Sequence, residues 1–339
     1  MNDREPLLTL NDKIAAAVTL LKAGKNVAFP TETVYGLGAD IANPSAINRV
    51  YEIKGRPINH PLIVHFAEMN QLEYWATDVP DSAWQLAEHF WPGPLTLILP
   101  RSSHVPLSVT GGQNTVGLRI PDHPIALALL RALGRNRALV APSANRFGRL
   151  SPTSANHVYE EFGNKVSMVL DGGTCKVGLE STIISFYNST AILLRPGGIP
   201  IASLEDVLKQ KIVLKGNQDI ALRTPGNLSS HYAPATPIEV WPTESIQQRA
   251  QQLNKNGLRI ALIVWSDSDY LSQAANENIH LFLMPADPIE YGHQLYATLR
   301  QLDQKGFFRM LAEAPPVDSA WLAISDRLQR ASYNTSTYL

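Results

Sequence analysis

Cysteine is almost missing from this chain: among 339 residues only Cys175 is one. An intramolecular disulfide is excluded, and such sparing use of thiols fits a reducing compartment. Net charge is nearly nil, at -1 with 29 Lys+Arg against 30 Asp+Glu. That balance gives no support to tight, delocalised nucleic-acid binding, which needs many cations to displace counterions. A local basic pocket is still compatible with it. No apolar run reaches the roughly 20 residues that cross a bilayer. The opening "MNDREPLLTL" has no basic stretch followed by a long apolar core, so no signal peptide and a cytoplasmic location are expected. Several catalytic signatures are missing as well. GxxxxGK[ST], HExxH, GxSxG and paired CxxC do not occur, and the stretch from Gly36 to Ile41 matches GxGxxG at two glycines only. The nine histidines show no short metal-ligand spacing, so no protein metal site is expected.

What is present is a folded chain, 45% hydrophobic and 17% charged. Its length suggests two domains. Asn11 or Asp12 can cap a helix whose apolar face is Ile14, Ala17, Val18 and Leu21, ended by Gly24. "NPSAINRVYEIKG" reads as a helix between Pro44 and Gly55. "NVAF", "PLIVHF", "LTLIL", "TVGLRI", "ALVAPS", "VSMVLD", "STIISF" and "AILLR" read as strands. "PTETVYGLGAD" reads as a turn leading from the first strand into a helix. Helices alternate with strands early, and strands crowd together later, which fits an α/β domain with a twisted, open, mixed sheet. This domain is expected over 1–210, an irregular linker over 211–236, and a smaller Rossmann-like α/β domain over 237–339.

The chemistry concentrates in six loops at predicted strand ends: "PTETVYG", "KGRPINHPLIVH", "GGQNTVGLRIPDHP", "APSANRFGRLSPT", "GLESTII" and "LRPGG". Ligands of open α/β sheets gather beyond strand ends, and six loops rich in hydroxyls and cations favour one shared pocket. Each loop alone has a bland reading. Lys54 and Arg56 could be a solvated helix end, Arg119 and Arg195 the polar face of a strand, Ser143 and Ser151 backbone caps, and His65 a structural histidine. Taken together, Lys and Arg beside such hydroxyls suit a polyphosphate, since Arg grips it with parallel hydrogen bonds.

Those motifs, with "WPGPLTLIL", "LDGG" and the later "HYAP" and "AISDRLQRAS", resemble the threonylcarbamoyl-AMP synthases of the YrdC/Sua family, in the long form with a C-terminal extension. The likeness covers nearly all of residues 11–205. It implies a YrdC-like sheet around a large basic cavity, and a reaction. L-threonine and bicarbonate or CO2 give an N-carboxylated threonine. Its carboxylate attacks the α-phosphorus of ATP, and pyrophosphate leaves. A downstream tRNA threonylcarbamoyl transferase system then modifies adenosine 37 of tRNA; direct tRNA binding is allowed but not required.

Carried over position by position, the resemblance implies that Thr33, His65, Arg119, Ala141 and Ser181 hold threonine. It implies that Arg56, His60, Thr115, Ser143, Ser151 and Arg195 hold ATP, with His231 or Tyr232 of the linker closing over it. Lys54 and Arg56 become the charges at the reacting phosphate. No tightly bound cofactor is implied, and Mg2+ accompanies ATP. His60 stands where many relatives carry Asn, and Glu32 and Tyr35 receive no role. Two other classes stay open: a carbamoyl-transfer module of the hydrogenase-maturation type, and an RNA-binding module without catalysis.

Overall fold

The structure is a computed structural model that describes residues 8–187, 190–214, 223, 225–226, 232–266 and 276–333. Its first half builds a ten-stranded mixed sheet. The strands are β1 (Val27–Phe29), β2 (Gly36–Asp40), β3 (Ile63–His65), β4 (Leu95–Pro100), β5 (Thr115–Arg119), β6 (Leu139–Val140), β7 (Met168–Val169), β8 (Thr182–Tyr187), β9 (Thr190–Arg195) and β10 (Val213–Leu214). Their spatial order is β10-β9-β8-β4-β5-β3-β6-β2-β1-β7. Parallel and antiparallel neighbours mix: β3 runs parallel to β5, while β6 runs antiparallel to both β2 and β3. Around the sheet lie α1 (Leu10–Lys22), α2 (Pro44–Lys54), α3 (Leu72–Trp75), α4 (Asp81–Phe90), α5 (Leu107–Thr110), α6 (Pro124–Leu133), α7 (Ala155–Phe162) and α8 (Ile201–Leu208).

Local chemistry explains the helix ends. Helix α1 buries the expected Ile14, Ala17, Val18 and Leu21, but its cap is Thr9. Thr9 and Asp12 form a reciprocal capping box, so Asp12 serves at the third helical position and is not itself the cap. Helix α2 is capped by the Asn43 side chain, begins on Pro44, and ends at Gly55 in the left-handed region with φ 61°. The "GLGAD" half of the opening motif departs from expectation: it is β2, hairpinned back onto β1 with Phe29 opposite Gly36. Its glycines mark close packing and not a turn. A Cβ on Gly38 would lie 2.9 Å from the Phe29 ring, and one on Gly36 would lie 3.2 Å from Ala141 Cβ.

The second half holds β11 (Ile238–Trp241), β12 (Ile260–Val264), β13 (Ile279–Leu283) and β14 (Arg309–Glu313), all parallel, in the order β11-β14-β12-β13. Helices α9 (Thr243–Asn254), α10 (Pro288–Asp303) and α11 (Leu322–Ser332) flank it. Its core does not stop at the domain edge. Val34, Leu150 and Leu179 of the first half join Tyr291, Leu295, Tyr296 and Leu328 in one buried cluster. Tyr232 of the linker belongs to the same cluster. Polar bonds reinforce the seam: Asp303 accepts from the backbone of Ala235 and Thr236 at 2.8 and 2.6 Å, and Arg300 donates to the carbonyl of Leu150.

Phe66, just beyond β3, is fully buried edge-on to Trp91 with ring centroids 5.6 Å apart. Phe66→Ala is expected to cost about 3–5 kcal/mol through lost burial and a residual cavity, read as a lowered denaturation midpoint with an unchanged slope.

Candidate active site

Residues of all six strand-end loops converge on one cavity. His65 and Arg119 end the parallel strands β3 and β5 as register partners. Ala141 to Ser143 follow β6, Glu180 and Ser181 precede β8, Arg195 ends β9, and Thr31 to Val34 connect β1 to β2. Together with Arg56, these residues other than Glu32 line a single cavity, and Pro225, Gly226 and Tyr232 of the linker complete its wall. The cavity is partly open to solvent.

The wall is cationic in a setting that disfavours charge. Arg56, Arg119 and Arg195 are 7%, 4% and 3% exposed. Each guanidinium is held by fixed oxygens. Arg119 donates to Thr33 Oγ1 at 2.9 Å and to the Gly93 carbonyl at 3.3 Å, and one of its nitrogens lies 2.7 Å from Glu32 Oε2. That last contact is an ion pair whose angles fall short of a hydrogen bond, so the aligned bond goes to Thr33. Arg195 donates to the Ser181 carbonyl at 2.8 Å, to Ser181 Oγ at 3.1 Å and to the Pro225 carbonyl at 3.1 Å. Arg56 donates to the Pro61 carbonyl at 2.8 Å and lies over the Phe147 ring. Burial, with the charge of Arg195, brings Arg56 down to about 10, still ionised at neutral pH.

Small hydroxyls and one neutral imidazole fill the gaps. Thr31 Oγ1 donates to the Val34 carbonyl at 2.6 Å and accepts from the Thr33 and Val34 amides, which fixes the tight loop that presents Thr33. Ser181 Oγ lies 2.7 Å from Thr96 Oγ1. His65 is buried, and burial together with the Arg119 charge brings it down to about 3, so the ring is neutral. Its Nδ1 sits 3.2 Å from the Ile63 carbonyl. In neutral form it donates there and keeps Nε2 as an acceptor.

Thr33, His65, Arg119, Ala141, Ser181, Arg56, Ser143, Arg195 and Tyr232, all singled out in the sequence, meet in this cavity. Four others do not line it. Lys54 stands behind the wall, where its Nζ donates to the carbonyls of Ser143 at 2.6 Å and Asn145 at 2.5 Å. Burial and the Arg56 charge push this amine well below its usual value. Its place is that of a pin for the "PSAN" loop and not of a free cation. Ser151 is fully buried and donates to Glu180 Oε1 at 2.5 Å. The His60 ring turns edge-on to Phe147, 5.2 Å away. Thr115 opens β5, four residues before Arg119 and so about 13 Å along the strand. His231 lies outside the described residues.

Tyr35, Glu180 and Arg327 were not assigned from sequence. Tyr35 ties the loop to the "LDGG" segment, donating to the Gly173 carbonyl at 2.8 Å and accepting from the Gly172 amide at 3.1 Å. Glu180 lines the cavity and receives Ser151, Tyr296 Oη at 3.0 Å and Arg327 Nε at 2.8 Å. Burial alone would raise this carboxyl, but Arg327, Arg195 and the hydrogen bonds outweigh it and hold it at about 2. Arg327 also donates to the Pro196 carbonyl at 3.0 Å and lies over the Tyr232 ring, 4.8 Å from its centre.

This mixed sheet, its cationic cavity, the linker residues in the cavity wall and the parallel-sheet partner define a two-part α/β protein with one site rich in buried arginines. Comparison with known proteins gives the family. A model of the Sua5, YciO and YrdC proteins, described as telomere recombination, matches residues 19–197. The threonylcarbamoyl-AMP synthase C-terminal domain matches residues 199–332. The chain is 39% identical to the threonylcarbamoyl-AMP synthase of Pyrococcus abyssi over 94% of both chains. It is 38% identical to that of Bacillus subtilis over 97% of this chain and 95% of the other. The crystal structure of Pyrococcus abyssi Sua5 complexed with L-threonine superposes with a TM-score of 0.86 at 37% identity, covering 96% and 95% of the two chains. The chain therefore belongs to the threonylcarbamoyl-AMP synthase family, in its two-domain Sua5 form. Among the described residues there is no group of three His, Cys, Asp or Glu placed to hold a metal, and no helix long and apolar enough to cross a membrane.

Glu180 stays ionised in the folded chain down to about pH 2, against an ordinary value of 4.5. Its stabilisation is fully present above pH 4.5 and is lost as pH falls toward 2. Glu180→Gln is expected to cost about 3 kcal/mol at pH 7 by removing the buried carboxylate partner of Arg327 and leaving only Asp326 to balance it. The deficit relative to the parent should shrink between pH 4.5 and 2, which denaturant melts across that range will measure.

Proposed function

We propose that this cavity holds L-threonine beside the phosphates of ATP and joins them as threonylcarbamoyl-adenylate, the precursor of the threonylcarbamoyl group at adenosine 37 of tRNA. The observation that carries this reading is the meeting of nine motif residues from six loops and the linker in one buried cationic cavity. The relative solved with L-threonine bound, and the names of the full-length relatives, support the same substrate.

In this reading Arg119 takes the carboxylate of threonine. Glu32 and Thr33 hold its guanidinium in place, and Thr33 offers its hydroxyl. His65 keeps an acceptor nitrogen for the amino group, and the Ala141 backbone and Ser181 close the amino-acid side. Arg56, Ser143, Arg195 and Tyr232 face the nucleotide. Bicarbonate or CO2 converts the amine to a carbamate. The carbamate oxygen forms a bond to the α-phosphorus as the bond to pyrophosphate breaks. Such a displacement needs in-line positioning and charge neutralisation and no protein nucleophile. Fixed guanidiniums in a dry wall suit it, because they need little reorganisation as charge develops.

Lys54 contributes by fixing the 143–145 loop, and Ser151 by bonding Glu180. Mg2+ enters with the ATP phosphates, since the nearby carboxylates Glu32 and Glu180 are already paired with arginines. The linker excludes water from the labile adenylate. The single buried cysteine fits work in a reducing cytoplasm. A downstream transferase system receives the product. The carbamoyl-phosphate alternative is less favoured, because the likeness to threonylcarbamoyl-AMP synthases continues through the second domain.

Incubation with ATP, L-threonine and bicarbonate should release pyrophosphate only when all three are present. Release that ignores threonine would overturn the reading. Arg119→Ala should raise the KM for threonine and lower kcat/KM by about 10²-fold. Lys54→Met should lower kcat through the misplaced loop, with a smaller effect on the KM for threonine; steady-state kinetics of both variants separate the two roles.

A further inference from the structure

The carboxylate of Glu180 is out of place in a cavity meant for phosphates. It lies in the wall beside Arg195, is 6% exposed, and is held ionised. Left uncompensated, it would repel a polyphosphate at short range. Three side chains engage it. Ser151 belongs to the same domain, whereas Tyr296 of α10 and Arg327 of α11 reach in from the second domain. Arg327 is the charged partner bonded to Glu180, and Asp326, which shares Arg327, is itself paired with Arg330 at 2.8 Å. Arg327 is 1% exposed and is fixed on three further sides by Asp326 at 2.5 Å, by the Pro196 carbonyl, and by the face of Tyr232 in the linker.

We propose that Arg327 is a positioning residue lent by the second domain: it cancels the charge of Glu180 so that the cavity accepts a nucleotide. The second domain is then part of the electrostatics of the nucleotide site and not only a cover. The arrangement couples three events. Docking of the second domain brings Arg327 to Glu180, neutralises the wall, and seats the linker tyrosine. The effect should be selective. A nucleoside triphosphate carries several negative charges and meets Glu180 as a repulsive neighbour, whereas threonine enters as a zwitterion with no net charge. This inference rests on reading the cavity as an ATP site, and the test separates the two.

The test measures ATP and L-threonine binding by calorimetry on four full-length variants, with thermal melts as controls. Arg327→Gln should weaken ATP binding by about tenfold or more while changing threonine affinity by less than about threefold. Arg327→Lys, which keeps the charge, should retain most of the ATP affinity. Glu180→Gln removes the repulsive charge, so adding Arg327→Gln to it should change ATP affinity by less than about threefold. That double comparison decides the matter even where Arg327→Gln alone fails to fold. A tenfold loss on going from Glu180→Gln to the double variant would overturn the proposal. So would an equal loss of ATP and threonine binding in Arg327→Gln, which would mean simple undocking of the second domain. A parent chain that binds threonine but no nucleotide would instead refute the ATP reading itself.

Discussion

Everything in this fold follows from burying three guanidinium groups in one wall. Arg56, Arg119 and Arg195 are each less than a tenth exposed. A cation taken out of water costs several kcal/mol unless fixed oxygens replace its hydration. The oxygens come from carbonyls that ordinary secondary structure leaves free at strand ends: Pro61 before β3, Gly93 before β4, and Ser181 before β8. The mixed sheet sets two of these starts, before β4 and β8, beside the finishing ends of β3 and β5, because β4 runs antiparallel to β5, while Pro61 lies at the other end of β3. The sheet topology is thus the device that makes the cations affordable.

The same constraint explains the two buried carboxylates. Glu32 lies against Arg119 in contact but not in hydrogen-bond alignment, which fixes the guanidinium without exhausting its donors. Glu180 is different, for all its partners are aligned and two of them come from the other domain. One carboxylate trims a cation within the site, and the other ties the site to the rest of the molecule. Both read in the sequence as ordinary loop residues.

Much of the architecture could be read from local pattern. The Pro44 start and the Gly55 stop of α2, the apolar face of α1 and the six hydroxyl-rich loops all depend on nearby residues, and all six loops do line the cavity. The failures share one cause. Strand β2 was hidden because its two glycines look like turn residues, and only the facing Phe29 and Ala141 reveal that they mark close packing. Lys54 reads as a charge at the reacting phosphate because a cation at a helix end looks the same whether it faces a substrate or, as here, two carbonyls 89 and 91 residues away. The Glu180–Arg327 pair spans 147 residues, a separation that no local period or motif encodes.

That long-range pair also changes what the linker can be. A strap over an active site is usually imagined as held by its own sequence, yet here its buried tyrosine adopts φ 59°, a backbone region unfavourable for a side chain of that size. Such a conformation persists only where surrounding packing over-determines it. The packing comes from both halves: Arg327 lies above the ring, Tyr296 is 5.8 Å from it, and Val34 and Leu150 of the first half share its buried cluster. The linker's place over the cavity is therefore a property of the docked pair of domains. Closing the site and pairing its buried carboxylate are one structural event, because both depend on the docked second domain.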